Sequence, residues 1–223
     1  MAGDEASPAR AAALEQLCRA YWQPVCAFAR RKGWREEDAK DLTQQFFARL
    51  LARNDFRGLD PQRGKFRTFL LTAFAHFLAN EYDRVTAQKR GGGQTAVAYD
   101  ELTPEQLGRL APPGGEAPDR CYDLEWAQAI MAAALRQLRA DLTAGGKAAH
   151  FTILKPFLTL PGGATEYAAA ARELGVEPAS VPVLVHRLRH AFREGVRAEV
   201  AQTVATPLEL EEEMRHLFAV LNQ

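Results

Sequence analysis

Six cationic or titratable side chains crowd one short stretch toward the C-terminal end: His186, Arg187, Arg189, His190, Arg193 and Arg197. Arginine forks match both phosphate oxygens and guanine edges, so the stretch has the chemistry of a nucleic-acid contact. On a helix these residues share the solvent side while Val183 or Leu184, Leu188, Ala191, Phe192 and Val196 face inward. His186 and His190 stand at the i,i+4 spacing of two metal ligands, but Arg187, Arg189 and Arg193 around them oppose a cation, and no metal is expected. A second group mixes cations with aromatics: Phe56, Arg57, Arg63, Lys65, Phe66, Arg67 and Phe69, followed by Arg84, Lys89 and Arg90. Aromatic faces stack on unpaired bases while nearby cations hold the backbone, which suits single-stranded or melted nucleic acid.

Enzyme chemistry has little to rest on. There is no G-x-G-x-x-G between a strand and a helix, no G-x-x-x-x-G-K-[ST] and no H-E-x-x-H, so neither catalysis nor a cofactor is expected. Cys18, Cys26 and Cys121 are an odd set without a C-x-x-C pair, which argues against a zinc site or a disulfide framework. With 223 residues, 47% of them hydrophobic, and 28 Lys+Arg against 28 Asp+Glu, the chain can bury a core unaided and is not disordered throughout. Apolar runs such as Phe69-Leu70-Leu71 fall far short of the ~20 residues that span a bilayer, so no membrane partner is expected. Asp4 and Glu5, with no apolar run behind them, do not read as a signal peptide, and the expected location is the cytoplasm. The zero net charge hides a pattern: residues 1–90 hold 16 Lys+Arg and 11 Asp+Glu, 91–119 hold 1 and 5, 120–204 hold 10 and 8, and 205–223 hold 1 and 4. Two mildly basic blocks, separated and followed by acidic segments, leave room for nucleic acid.

The elements that must hold these groups are helical throughout. Residues 91–119 contain Gly91-Gly92-Gly93, Pro112-Pro113-Gly114-Gly115 and Pro118 and read as a linker. The expected architecture is therefore all-α: two small helical domains, 1–90 and 120–204, joined by the Gly/Pro-rich linker 91–119, with an amphipathic acidic tail at 205–223. In the first domain Leu14, Leu17, Cys18, Tyr21 and Trp22 recur at helical spacing, Pro24 marks a kink or boundary, and Gly33 stops the helix. A second helix spans Asp38 to Ala52. A third runs from Phe66 to about Lys89, with an apolar set too broad for one stripe, so some of its aromatics are expected near the surface or over another element. In the second domain, helices at Asp123 to Leu138 and Ala148 to Leu158 precede Thr165 to Val176, a Gly175 turn, and Val181 to about Thr203. Alanines at the crossing and Ser180 ahead of the last helix complete the sequence form of a helix-turn-helix.

The stretches Trp22 to Ala29, Glu37 to Leu50 and Lys65 to Leu70 resemble the second conserved region of bacterial RNA polymerase sigma factors of the extracytoplasmic-function (ECF) type. Asp41, Leu42, Gln44 and Phe47 supply its D-L-x-Q-x-x-F core. Tyr167 to Phe192 resembles the family's fourth region, whose helix-turn-helix reads the upstream promoter element. The resemblance implies a dissociable sigma subunit, without catalysis of its own, that binds core RNA polymerase and directs it to a subset of promoters. It implies that the helix carrying Asp38, Asp41, Gln44, Gln45, Phe47 and Arg49 binds a coiled coil of the polymerase. It implies that the segment between Arg53 and Lys65 accepts a flipped base of the melted downstream element, with Phe56, Arg57, Arg63, Lys65, Arg67, Phe69 and Arg84 as contacts. The upstream element falls to the helix begun by Ser180, with His186, Arg187 and Arg189 toward base edges and His190 and Arg193 toward phosphates. Core polymerase and promoter DNA are the implied partners, with room for an anti-sigma factor.

The same residues also allow a second class, a helix-turn-helix regulator that binds duplex DNA without polymerase. The tail has no counterpart in the minimal family pattern. Its Leu210, Met214, Leu217, Phe218 and Leu221 form an apolar stripe with Glu209, Glu211, Glu212 and Glu213 toward solvent. Each large apolar residue is worth roughly 1.5–3 kcal/mol when covered, so the stripe needs a cover. The expected cover is the second domain; the alternative is a fold-back near the basic helix, or another protein, that regulates promoter access.

Overall fold

A computed structural model describes residues 8–52, 66–90, 120–204 and 206–222. Phe56, Arg57, Arg63 and Lys65, and the linker 91–119, lie outside the described residues. The described residues are all-α, without a strand: α1 Pro8–Arg31, α2 Glu36–Ala52, α3 Phe66–Arg90, α4 Arg120–Ala144, α5 Ala148–Leu154, α6 Ala164–Leu174, α7 Val181–Ala201 and α8 Pro207–Leu221. Two compact units result, the first from residues 1–129 and 202–223 and the second from 130–201.

In the first unit α1 continues through Pro24, which is buried, rather than breaking there. Gly33, at φ 95°, ends the helix; the Trp34 amide donates to the Ala29 carbonyl at 3.3 Å, closing a turn that a β-carbon would strain. The first turn of α2 is acidic, Glu36, Glu37 and Asp38, as its dipole favours. Its inner residues Ala39, Leu42, Phe46, Phe47 and Leu50 are buried. Phe46 meets Phe74 of α3 at 4.9 Å between ring centroids and Phe77 at 5.7 Å, while Phe28 of α1 meets Phe74 at 6.2 Å. These aromatics explain the broad apolar set of α3. Leu70, Phe74 and Phe77 are fully enclosed, because the helix is covered on more than one side, and Tyr82 alone of its large aromatics stands well exposed, at 62%.

The first unit also takes in residues that composition assigns elsewhere. Tyr122 and Trp126, at the start of α4, are fully buried in it, as is Leu217 of α8. The first unit thus takes in the start of α4 as far as residue 129 and the chain from residue 202, so the tail helix belongs to the first unit. The buried face of α8 also differs from the expected stripe. Glu213 is 3% exposed, whereas Phe218 at 47% and Leu221 at 37% face outward. The reason is a charge on the partner surface, described below.

In the second unit Leu138, Phe151, Leu154, Phe157, Ala170, Ala171, Val181, Val185 and Leu188 form one core. Ala170 and Ala171 are the small side chains that α6 buries in this core. Gly175, at φ 66°, ends α6, with the Val176 amide bonded to the Ala171 carbonyl at 3.0 Å, and a short turn at Pro178–Ser180 leads into α7.

Candidate nucleic-acid and partner interfaces

Helix α7 buries Val181, Val185, Leu188, Val196 and Val200. That choice of inner face leaves Ser180, Val183, His186, Arg187, His190 and Arg193 exposed. His186, His190 and Arg193 follow one another at helical spacing, with Val183, Arg187 and His190 alongside. Arg189 departs from this group. Its Nε donates to the Phe157 carbonyl at 2.8 Å and one terminal nitrogen to the Leu160 carbonyl at 3.2 Å. Both carbonyls lie at the end of the short turn Lys155–Leu158, so the guanidinium ties that turn to α7. The structure thus separates Arg189 from the exposed cations, since carbonyls left unpaired at a helix end draw the nearest strong donor.

On α2, Asp38, Asp41, Gln44 and Gln45 are exposed along one side. The same helix borders a groove of about 230 Å³ lined by Trp22, Gln23, Cys26, Arg30, Glu36, Lys40 and Gln44. Lys40 pairs with Glu36 at 2.9 Å, and the hydrogen bond and charge between them hold the Glu36 carboxyl below its ordinary pKa and the Lys40 ammonium above it. Phe47, expected beside this polar side, is 4% exposed and stacks on Trp22 at 6.0 Å. Arg49 is half-buried, 3.6 Å from Glu81 and 5.1 Å above the Phe77 ring. Phe47 thus packs inside the first unit, while Arg49 is partly covered and already paired.

Two of the residues grouped with the downstream element are likewise interior. Phe69 is 8% exposed. Arg67 sits at the start of α3 with its side chain 7% exposed, ion-paired to Asp123 of α4 and, at 3.3 Å, to Glu213 of α8. Its guanidinium also lies 5.2 Å from the Trp126 ring, and His216 stands 3.2 Å from the far oxygen of Asp123. A cation this enclosed needs carboxylates, which is why α8 turns Glu213 inward. Arg84 remains largely exposed and is paired to Glu81 at 2.7 Å. Asp123 and Glu213 escape a reading by charge pattern; the one signal is that Glu213 falls three residues after Leu210 and four before Leu217, on the apolar side of its helix.

A helical protein with an exposed polar helix side in one unit and a cationic helix in the other is the class that these observations define. Residues 7–140 match the family model of the ECF sigma factor, a stretch that covers more than half of the chain, and the chain belongs to that family. It is a dissociable sigma subunit that binds core RNA polymerase and directs promoter recognition and transcription initiation. The α6–α7 pair lies beyond the matched stretch. Comparison with curated proteins and with solved structures yields no match. Among the described residues no helix is long and apolar enough to cross a membrane.

Proposed function

We propose that three surfaces divide the work of this sigma factor. The exposed side of α2, with Asp38, Asp41, Gln44 and Gln45, seats core polymerase. The segment carrying Phe56, Arg57, Arg63 and Lys65, with the exposed Arg84 and Tyr82 of α3, engages the melted downstream element. Helix α7 reads the upstream element from the major groove as the second helix of a helix-turn-helix. The protein acts in the cytoplasm, by binding and without catalysis. The observation that carries this reading is the division of α7: a buried apolar side and, opposite, an exposed side with His186, Arg187, His190 and Arg193. A helix so divided is held rigidly by its core while its cations remain available to phosphates and base edges.

Run-off transcription with purified core polymerase and a promoter library tests the division. Arg187→Ala is expected to relax preference at one upstream base pair, at a cost of ~1–3 kcal/mol. Asp41→Ala with Gln44→Ala is expected to weaken capture of core polymerase without changing which promoters are preferred. An unaltered library preference for Arg187→Ala, or unaltered polymerase capture for the double variant, refutes the corresponding surface.

A further inference from the structure

The cationic side of α7 carries one residue that its charge does not explain. Val183, in the first turn, is 51% exposed, while the neighbouring apolar residues Val181 and Val185 are buried. It lies one turn before His186 and Arg187, on the same open side. A half-exposed valine gains nothing from water, and the exposed cations around it favour an anionic or acceptor-rich surface. In a DNA major groove the one apolar feature on the base edges is the thymine 5-methyl group. The first turn of a recognition helix is the part that reaches those edges. We infer that Val183 is a specificity-determining residue that packs on a thymine methyl in the upstream promoter element; the inference rests on the reading of α7 as the upstream recognition helix.

The test uses holoenzyme reconstituted from core polymerase and the full chain, with the preferred upstream element taken from library selection. Each thymine in turn is replaced by deoxyuridine, which removes only the methyl group. For the wild-type chain, one replacement is expected to weaken promoter binding about fourfold, the worth of one methyl group removed from water. For Val183→Ala the same replacement is expected to have no effect, because its binding to the thymine duplex is already weakened by that factor. Being exposed, the substitution leaves the core untouched, and Val183→Thr, which keeps one methyl, is expected to fall between the two. A preferred element without thymine, or a deoxyuridine penalty equal in both proteins at every position, overturns the proposal. If Arg187→Ala shifts the library preference in that same experiment, the reading of α7 stands and only the role of Val183 is lost; if it does not, both fall.

Discussion

Replacing Arg67 by methionine tests whether the buried ion cluster holds the first unit together. The substitution keeps the length of the side chain and removes its charge, leaving Asp123 and Glu213 in place with side chains 7% and 4% exposed. Breaking a buried pair from one side costs about 3–5 kcal/mol, because the charge left behind has lost both water and partner. Two carboxylates remain here, which argues for a cost well inside that range. We expect about 4 kcal/mol, a large share of the roughly 5–15 kcal/mol by which native proteins are stable. The assay follows from the sequence: the three tryptophans, Trp22, Trp34 and Trp126, all belong to the first unit, so their fluorescence during urea unfolding follows that unit. Arg67→Lys, which retains the charge but not the fork, should lose less. The triple change Arg67→Met, Asp123→Leu and Glu213→Met should recover at least half of the loss, since apolar replacement of a whole buried cluster is often neutral or stabilising. A loss below about 1 kcal/mol for Arg67→Met, or a triple variant no more stable than the single one, refutes the reasoning.

Two further outcomes follow. Arg189→Ala should lower stability by about 1.5–3 kcal/mol, the range for charged donors, and weaken binding to all duplexes alike; a shift in preference at a single base pair, read in a competition assay, would return Arg189 to the DNA-reading group. Tyr21 and Tyr122 are buried, and loss of solvation, the leading cause for each, lifts both hydroxyls well above their ordinary value of 10.0. The folded chain then keeps protons that the unfolded chain releases, so the stability they contribute is fully present below pH 10 and is lost as pH rises beyond it, by up to about 1.4 kcal/mol per pH unit for each tyrosine. Tyr122→Phe, which gives up among its contacts a long hydrogen bond of 3.5 Å to the Arg67 carbonyl, should flatten that alkaline slope in urea titrations; slopes parallel to the wild type above pH 10 would contradict it.

Local pattern carries far in this chain. The helices at 36–52, 66–90, 181–201 and 207–221 can be read from apolar spacing, and Gly33 and Gly175 as stops, because periodicity and capping are properties of a few neighbouring residues. The polar side of α2 and the cationic side of α7 were legible for the same reason: fixing the inner face of an amphipathic helix also fixes the outer one. Pairing is a different matter. Arg67 stands in a run of cations and aromatics and has every local mark of a surface residue, yet its partners are 56 and 146 positions away. Arg189 sits among arginines of identical local character, and only carbonyls 32 and 29 residues before it remove it from the exposed set. The inward turn of Glu213, the choice of unit that covers α8 and the burial of Phe47 and Phe69 were decided in the same way. Whether a charge is buried depends on the free energy of losing water against that of meeting its counter-charge, and the counter-charge is brought by the tertiary fold, not by the neighbours in the chain.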